Sequence, residues 1–225
     1  MVLKVRGTLI DQRTRLANTF RGHAAGSGII AARGLDKTGA LLTAIGQDAA
    51  IPAEAREMSV LLNQEMSELD EKIEQADEKP AAAHKANPVS TRLATVPGIG
   101  PVTALTLAIE IGPAVFQSGR HLAAWAGLTP EEHSTGGKQR MGGISRAGNK
   151  RLRCLLVNGA TAVIRSAMRP DSKQMTGWSR ALLPREPRKA AALALANKMA
   201  RIAWAMMTPG KAYRRPAAAA LAVPA

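Results

Sequence analysis

The spacing of apolar residues along the chain predicts a mainly α-helical protein. Between Val2 and Phe20 the apolar side chains fall on one stripe and the arginines fall off it, as in an amphipathic helix. From Pro52 to about Ala76 apolar residues recur every three or four positions, close to a coiled-coil seam. The second segment is acidic and the first is basic. We therefore expect a long, coiled-coil-like antiparallel helical hairpin.

Further helices are predicted after a break at residues 79–88. They are Ser90–Val96, Pro101–Ile111, His121–Ala126, Lys150 to about Met168, and Arg188–Met207. Residues 29–45 show a weaker helical pattern, and residues 169–185 are expected to be irregular with Trp178 as an anchor. We expect a helical arm over residues 1–88, a helical domain over 89–212 and a disordered tail over 213–225.

The stretch Pro97-Gly-Ile-Gly-Pro101 predicts a helix-hairpin-helix inside the second domain. Gly98 and Gly100 permit a tight turn, Pro101 suits the first turn of a helix, and Ile99 is expected to point inward. Such a turn directs N–H groups outward at a helix N-terminus, where phosphate binds. We therefore predict that Gly98, Ile99 and Gly100 contact duplex DNA. A packed corner of two helices without a ligand is the alternative.

Net charge favours a polyanionic partner. The chain has 31 Lys and Arg against 17 Asp and Glu, a net charge of +14. Residues 54–79 hold nine acidic and three basic residues, so the remainder carries 28 basic (31 − 3) against 8 acidic (17 − 9). Aromatic residues make up only 3%, so contacts with the phosphate backbone fit better than stacking of unpaired bases. A solvated basic surface without a ligand is the alternative.

Other classes of protein are disfavoured by the composition. Cys154 is the single cysteine, which leaves no disulfide framework, and the four histidines are scattered, so we predict no metal site. No run of 18 apolar residues and no signal peptide are seen. We therefore expect no membrane partner and a cytoplasmic location.

A basic, glycine-rich loop follows the hairpin. Residues 134–146 contain four glycines and three cations, and the next helix opens with three more cations. Cations in a first helical turn oppose the helix dipole by about 0.3–1 kcal/mol each, which an anion at that position would offset. The pattern predicts a phosphate-binding pocket. Its members are Lys138, Arg140, Arg146, Lys150, Arg151 and Arg153.

Ser134 stands at the entrance of this loop and could attack phosphorus. A serine nucleophile needs a base or a metal for activation, and His133 is the nearest candidate. From the residues alone, a role in turn formation or capping stays open for Ser134. Ser145 is expected to be structural. A small β-hairpin is expected within Thr135–Ile144.

Three segments resemble a known family. LATVPGIGPVTA, AAWAGLTPEEHSTGGKQRMGGISRAGNKRLRCLL and ALALANKMARIAWAMM are similar to the C-terminal part of a family of insertion-sequence transposases, and the similarity covers about residues 1–212. That family joins a RuvC-like nuclease domain with four carboxylates (DEDD) to a helical domain with a catalytic serine. The resemblance implies DNA transposition with Ser134 of the S-T-G-G-K loop as nucleophile. A slip of one residue would shift this role to Thr135.

The resemblance also implies partners and a cofactor. Family members use a bridge RNA, and their nuclease carboxylates would bind Mg²⁺. The chain is expected to begin after that domain, to have no cofactor of its own, and to bind double-stranded DNA while remaining inactive alone. Whether it is an enzyme is therefore left open. We expect a homo-oligomer or co-assembly with intact transposase. Two alternatives are a non-catalytic DNA-binding regulator and an enzyme completed by a separate nuclease polypeptide.

Overall fold

The computed structural model describes residues 2–26, 29–30, 38–49, 51–111, 115–169, 177–207 and 213. The chain divides into two compact units, Met1–Ala81 and Ala82–Ala225. The described residues are mainly helical, as the apolar spacing predicted. Their strands form one two-stranded antiparallel hairpin. Residues 214–225 of the predicted tail lie outside the described residues.

Unit 1 consists of α1 (Val2–Gly26), α2 (Thr38–Gln47) and most of α3 (Ala53–Ala86). Arg6 pairs with Asp77, and Arg13 Nη2 donates to Asp70 Oδ2 at 2.9 Å. Residue numbers rise along α1 as they fall along α3, so the two helices run antiparallel. The opposite charges of the two segments therefore face each other across this pair.

The core of unit 1 includes α2 as well as α1 and α3. Phe20, Leu42, Ile45 and Met66 are buried together. Met58 lies on the predicted seam of α3 but is 54% exposed. The buried face of α3 is therefore shorter than the sequence pattern indicated.

The predicted break at residues 79–88 is wrong over most of its length. The helix α3 continues through Pro80 and ends at Ala86. A proline removes one backbone hydrogen bond and usually kinks or breaks a helix. Pro80 is buried, and three alanines follow it. Alanine is the strongest helix former, which favours continuation of the helix.

Unit 2 contains the remaining elements. They are α4 (Pro88–Leu93), α5 (Pro101–Glu110), α6 (Gly119–Trp125), β1 (Pro130–Glu132), β2 (Met141–Ile144), α7 (Lys150–Ala167), α8 (Gly177–Leu182) and α9 (Arg188–Met207). One core cluster joins α4, α5, α6, α7 and α9. Helix α8 was not predicted, because residues 169–185 lack a clear apolar period; residues 170–176 of that stretch lie outside the described ones.

Helices α7 and α9 pack through small residues. Ala191, Ala196, Ala200 and Ala203 of α9 are buried. The side chains predicted to point inward were Leu193, Leu195, Met199, Ile202 and Trp204. Of these only Met199 is buried, and the others are half-buried. Alanine on the inner face permits close approach of two helices, so the larger side chains lie at its margins.

The turn between α4 and α5 is pressed against α7 and α9. Gly98 has φ +89°, and a methyl group added to it would lie 2.9 Å from Met199 Cε. A methyl group on Gly159 of α7 would lie 1.9 Å from the Gly98 carbonyl oxygen. The two backbones therefore touch at these glycines, which fixes the position of the α4–α5 turn.

We predict that Gly159→Ala destabilises unit 2. Alanine favours a helix over glycine by about 1 kcal/mol, but the added methyl group would overlap a backbone oxygen that cannot rotate away. Overpacking of this kind costs about 1–3 kcal/mol, so we expect a net loss of stability. Urea unfolding followed by tryptophan fluorescence measures it, because Trp125, Trp178 and Trp204 all lie in unit 2.

Gly100→Ala is the matched control in the same turn. Nothing lies within 4 Å of a methyl group added there. We expect a change of about 0.5 kcal/mol, the cost of alanine at an N-cap position. Equal losses in the two variants would contradict the backbone contact.

Candidate nucleic-acid interface

The basic loop forms a β-hairpin that projects between α6 and α7 along the chain. Pro130 pairs with Ile144 and Glu132 with Met141. At the tip, Gly136 and Gly137 have φ values of +57° and +77°. Positive φ at both central residues is the signature of a type I′ turn, which glycine adopts without strain. A small hairpin was predicted from Thr135, but strand pairing begins five residues earlier, at Pro130.

Ser134 is fixed beside the tip of this hairpin. Its half-buried Oγ accepts a hydrogen bond from the Arg140 backbone N–H at 3.1 Å, and the His133 N–H donates to the Arg140 carbonyl at 2.8 Å. Because Oγ accepts this bond, the hydroxyl proton is directed elsewhere. The contact holds Ser134 in a defined orientation next to exposed cations.

The predicted base, His133, does not engage Ser134. Its Nε2 lies 3.8 Å from a carboxylate oxygen of Glu131, and both side chains are exposed. Among the described residues no hydrogen bond joins the imidazole to the Ser134 hydroxyl. The described part of the chain therefore shows no base in contact with this serine.

The base of the hairpin is clasped by Arg153. Its Nη1 donates to the carbonyl oxygens of Ala126 at 2.9 Å and Ala147 at 2.8 Å. Gly127 and Gly148 allow the two chain segments to meet. A methyl group added to Gly127 would lie 2.3 Å from the carbonyl oxygen of Ala147. A methyl group added to Gly148 would lie 1.8 Å from the carbonyl oxygen of Trp125. We call these three residues, Gly127, Gly148 and Arg153, the clasp.

The clasp was not predicted from the sequence, although glycines at both ends of the loop, Gly127 and Gly148, indicate a close approach of two backbones. Two further backbone bonds reinforce it. Ser145 N–H donates to the Thr129 oxygen at 2.9 Å, and Arg146 N–H donates to the Gly127 oxygen at 3.3 Å. Ser145 is half-buried at this junction. The loop therefore leaves α6 and enters α7 through a defined backbone arrangement.

Arg146 has a strained backbone at the exposed end of the clasp. Its φ is +53°, the only positive value among the described non-glycine residues. The left-handed conformation costs a residue with a side chain about 1–2 kcal/mol. Strain of this kind is retained where the surrounding structure imposes it, often at functional sites.

Four of the nine residues predicted to contact DNA serve the fold instead. Arg153 belongs to the clasp, and Arg151 Nη1 lies 3.6 Å from Glu110 Oε1 of α5. Ile99 is 2% exposed, and its N–H donates to the Val96 oxygen at 2.9 Å. Gly98 packs against α7 and α9. The cations of the first turn of α7 thus have protein partners in two of three cases, so they do not require an anion there.

Five of the predicted residues remain exposed. They are Gly100, Lys138, Arg140, Arg146 and Lys150. Among the described residues, none of the four cations in this set forms an ion pair. We call these four cations the basic face. Helix α7, which begins at Lys150, is capped by Asn149, whose Oδ1 accepts a hydrogen bond from Leu152 N–H at 2.9 Å.

The α4–α5 turn and the basic face lie at different levels of α7. The turn touches α7 at Gly159, and the basic face includes Lys150 at the helix start. Nine residues separate these positions, which corresponds to about 14 Å at 1.5 Å per residue. One phosphate cannot reach both. Of the six cations in the predicted pocket, Arg151 and Arg153 have protein partners. The other four are exposed, and their convergence on one phosphate stays a prediction.

The described residues do not fit a metal site. No group of three or more His, Cys, Asp or Glu side chains among them could hold a metal ion. The Mg²⁺ that the family resemblance implied therefore has no ligand set in the described part of the chain. Within the same residues, every helix is too short or too polar to cross a membrane.

The region that contains the candidate interface is similar to known proteins. Residues 90–176 match the model of the transposase IS116/IS110/IS902 family. This match contains the α4–α5 turn, the hairpin and α7. The part of the chain that carries the candidate interface is therefore similar to an insertion-sequence transposase family.

Individual relatives align with almost the whole chain. A transposase of Sinorhizobium fredii is 45% identical over 216 residues, which are 96% of this chain and 56% of that protein. A family 20 transposase of Pseudomonas aeruginosa is 40% identical over 94% of the chain and 63% of its own length. The transposase for insertion sequence element IS1111A of Coxiella burnetii is 37% identical over 95% of the chain and 59% of its own length. The chain thus spans about three fifths of these relatives.

We predict that Arg153→Met loosens the hairpin and destabilises unit 2. The substitution keeps an apolar stem but leaves two carbonyl oxygens without their donor, at a cost of about 1–3 kcal/mol. Hydrogen exchange should quicken at the Ser145 and Arg146 amides, and the urea midpoint should fall.

Lys150→Met is the control for lost charge in the same helix turn. Lys150 is exposed and forms no ion pair with the described residues, so we expect a change within about 0.5 kcal/mol. Unchanged exchange at Ser145 and Arg146 in the Arg153 variant would refute the clasp.

Proposed function

We propose that this chain binds duplex DNA through the basic face and takes part in transposition of an insertion sequence. The observation that carries the proposal is the hairpin itself. Three of its cations, Lys138, Arg140 and Arg146, are exposed and unpaired among the described residues, and the hairpin lies in the transposase match. Lys and Arg that neutralise phosphates supply most sequence-independent DNA affinity.

A duplex suits the spacing of the exposed groups. The α4–α5 turn touches α7 at Gly159, about 14 Å along that helix from Lys150 of the basic face. Duplex DNA carries a charge every 1.7 Å of its axis, so several phosphates lie within that span. Gly100 begins α5 without a side-chain cap, which leaves the first-turn amides for an anion. A mononucleotide is too short to reach both ends of this surface.

We propose Ser134 as the nucleophile that attacks a backbone phosphorus in the assembled transposase. An Oγ–P bond would form, one P–O bond of the strand would break, and the displaced oxygen would leave as a strand-end hydroxyl after it takes up a proton. The support is its place in the S-T-G-G-K hairpin, with Oγ oriented by the Arg140 amide and cations on the same turn. The attacking hydroxyl must lose its proton, and the described residues offer no acceptor in contact with it. We assign no metal-dependent step to these residues. The proton acceptor would come from another part of the assembly, such as the family's nuclease domain.

A DNA-binding regulator is the second candidate. Among the described residues, Ser134 contacts no base and no carboxylate cluster is present. This favours a regulator without chemistry of its own. Such a protein would bind DNA and co-assemble with intact transposase without chemistry of its own. Bridge RNA and a homo-oligomer are further partners that we propose on the family resemblance.

We predict that the triple variant Lys138→Gln, Arg140→Gln, Lys150→Gln binds duplex DNA more weakly. Each lost phosphate contact should flatten the slope of log affinity against log salt by about 0.9. Fluorescence anisotropy with a labelled duplex at several salt concentrations measures both quantities.

The control changes net charge equally in unit 1. Lys4, Arg15 and Lys79 are exposed and form no ion pair with the described residues. Their replacement by Gln should leave the slope near the native value. Equal flattening in both triple variants would show that binding follows net charge alone and not the basic face.

We predict that Ser134→Ala abolishes recombination in an assembly supplied with a family nuclease domain, while duplex affinity stays within about twofold because Ser134 carries no charge. Thr135→Val tests the alternative of a one-residue slip and should retain recombination. The measurement is formation of joined donor and target DNA. Full activity of the Ser134 variant would exclude it as nucleophile; loss of activity only in the Thr135 variant would transfer the role to Thr135.

A further inference from the structure

A second basic site lies away from the hairpin, in a cleft between α6, α8 and α9. The cleft has a volume of about 770 Å³. Its described lining includes three cations, Arg120, Lys198 and Arg201, and no carboxylate. Two of the three tryptophans of the chain, Trp178 and Trp204, also line it. Scarce aromatic residues are thus concentrated together with unbalanced positive charge.

The aromatic and basic groups of the cleft are held in place. Lys198 Nζ lies 4.5 Å from the centroid of the Trp178 ring. Trp204 Nε1 donates to the Phe116 oxygen at 2.9 Å, which fixes that ring. A methyl group on Gly119 would lie 2.8 Å from Arg201 Cα, so α6 and α9 meet closely below the cleft. The floor is therefore preorganised.

The surroundings of Lys198 disfavour its charged form. Partial burial, and then the neighbouring Arg201, lower the pKa of Lys198. Both effects disfavour the charged ammonium. A bound phosphate would offset them, because an opposite charge nearby favours the charged form. The cation cluster is therefore matched to an anionic group.

We propose that this cleft binds one unpaired nucleotide of a nucleic-acid strand, with the base against Trp178 and its phosphate among Arg120, Lys198 and Arg201. The size supports this ligand, since clefts of about 300–1,000 Å³ enclose small molecules and cannot enclose a duplex. The chemistry supports it too. Base stacking on an aromatic ring and cations along the backbone are the two features of single-strand binding sites.

This site goes beyond the proposed duplex interface and does not depend on it. The preference for phosphate contacts over stacking in the sequence rested on the low aromatic content of the whole chain. The aromatic content of a sequence does not reveal that two tryptophans line the same cleft. A strand opened during recombination and an RNA strand carry the same recognition chemistry, so both are sources of the nucleotide.

The test compares single-stranded and duplex oligonucleotides. Labelled 10-nucleotide oligothymidylate, oligouridylate and a duplex are titrated with the native chain and with Trp178→Ala. We expect affinity for a single strand to fall about 5- to 150-fold, the range for loss of one stacked base, with duplex affinity unchanged. Trp178→Phe keeps an aromatic face and should stay close to native.

Charge variants test the site independently if the Trp178 variant unfolds, through the salt dependence of single-strand binding. Lys198→Gln should flatten the single-strand salt slope by about 0.7. Lys189→Gln is the matched control, because Lys189 is exposed on the same helix and does not line the cleft. The single-strand salt slope of the Lys189→Gln variant should equal that of the native chain.

The outcomes separate the two proposals. Unchanged single-strand binding in both Trp178→Ala and Lys198→Gln would overturn the nucleotide site. Equal losses for single strand and duplex would also overturn it, because the cleft would then be part of a general phosphate surface. Selective loss with only one oligonucleotide supports the site and identifies DNA or RNA as the source. Failure of the duplex interface would appear instead in the Lys138, Arg140 and Lys150 variant.

Discussion

The candidate interface depends on the clasp at the base of the hairpin. The tip of the hairpin, Thr135-Gly136-Gly137-Lys138, has little apolar area of its own, and an isolated two-stranded hairpin is marginally stable in water. Arg153 compensates through two hydrogen bonds from one guanidinium nitrogen, and Gly127 and Gly148 let the backbones meet. A charged donor to a carbonyl contributes more than a neutral one. The charge of Arg153 is therefore used for the fold.

Helix α7 is the rigid element that relates all parts of this surface. Its start carries the clasp and the ion pair with Glu110, and its middle touches the α4–α5 turn at Gly159. The glycine contact between α7 and the α4–α5 turn and the buried alanines of α9 bring these elements close together, and close packing of this kind resists deformation. The α4–α5 turn and the start of α7, about 14 Å apart along this helix, are the two places that we propose contact an extended polyanion. The cleft on α9 adds a second, aromatic type of site in the same unit.

Much of the helical fold was predictable from local sequence. The bounds of α9 and the Asn149 cap follow from apolar period and capping chemistry. The continuation of α3 through Pro80 was not predictable, because burial overrode a local breaker. Within the site, sequence could identify the basic residues but not their partners. From the sequence, Arg151 and Arg153 were predicted to bind phosphate. In the structure Arg151 pairs with Glu110, and Arg153 donates hydrogen bonds to two carbonyl oxygens. Long-range pairing of this kind has no local signature.

Hydrogen exchange with and without duplex DNA tests the central claim most directly. If the hairpin and the α4–α5 turn form one surface positioned by α7, amides of residues 133–146 and 100–103 should gain protection at the same DNA concentration. Unit 1 should remain unchanged. Protection confined to unit 1, or absent from the hairpin at saturating DNA, would contradict the account.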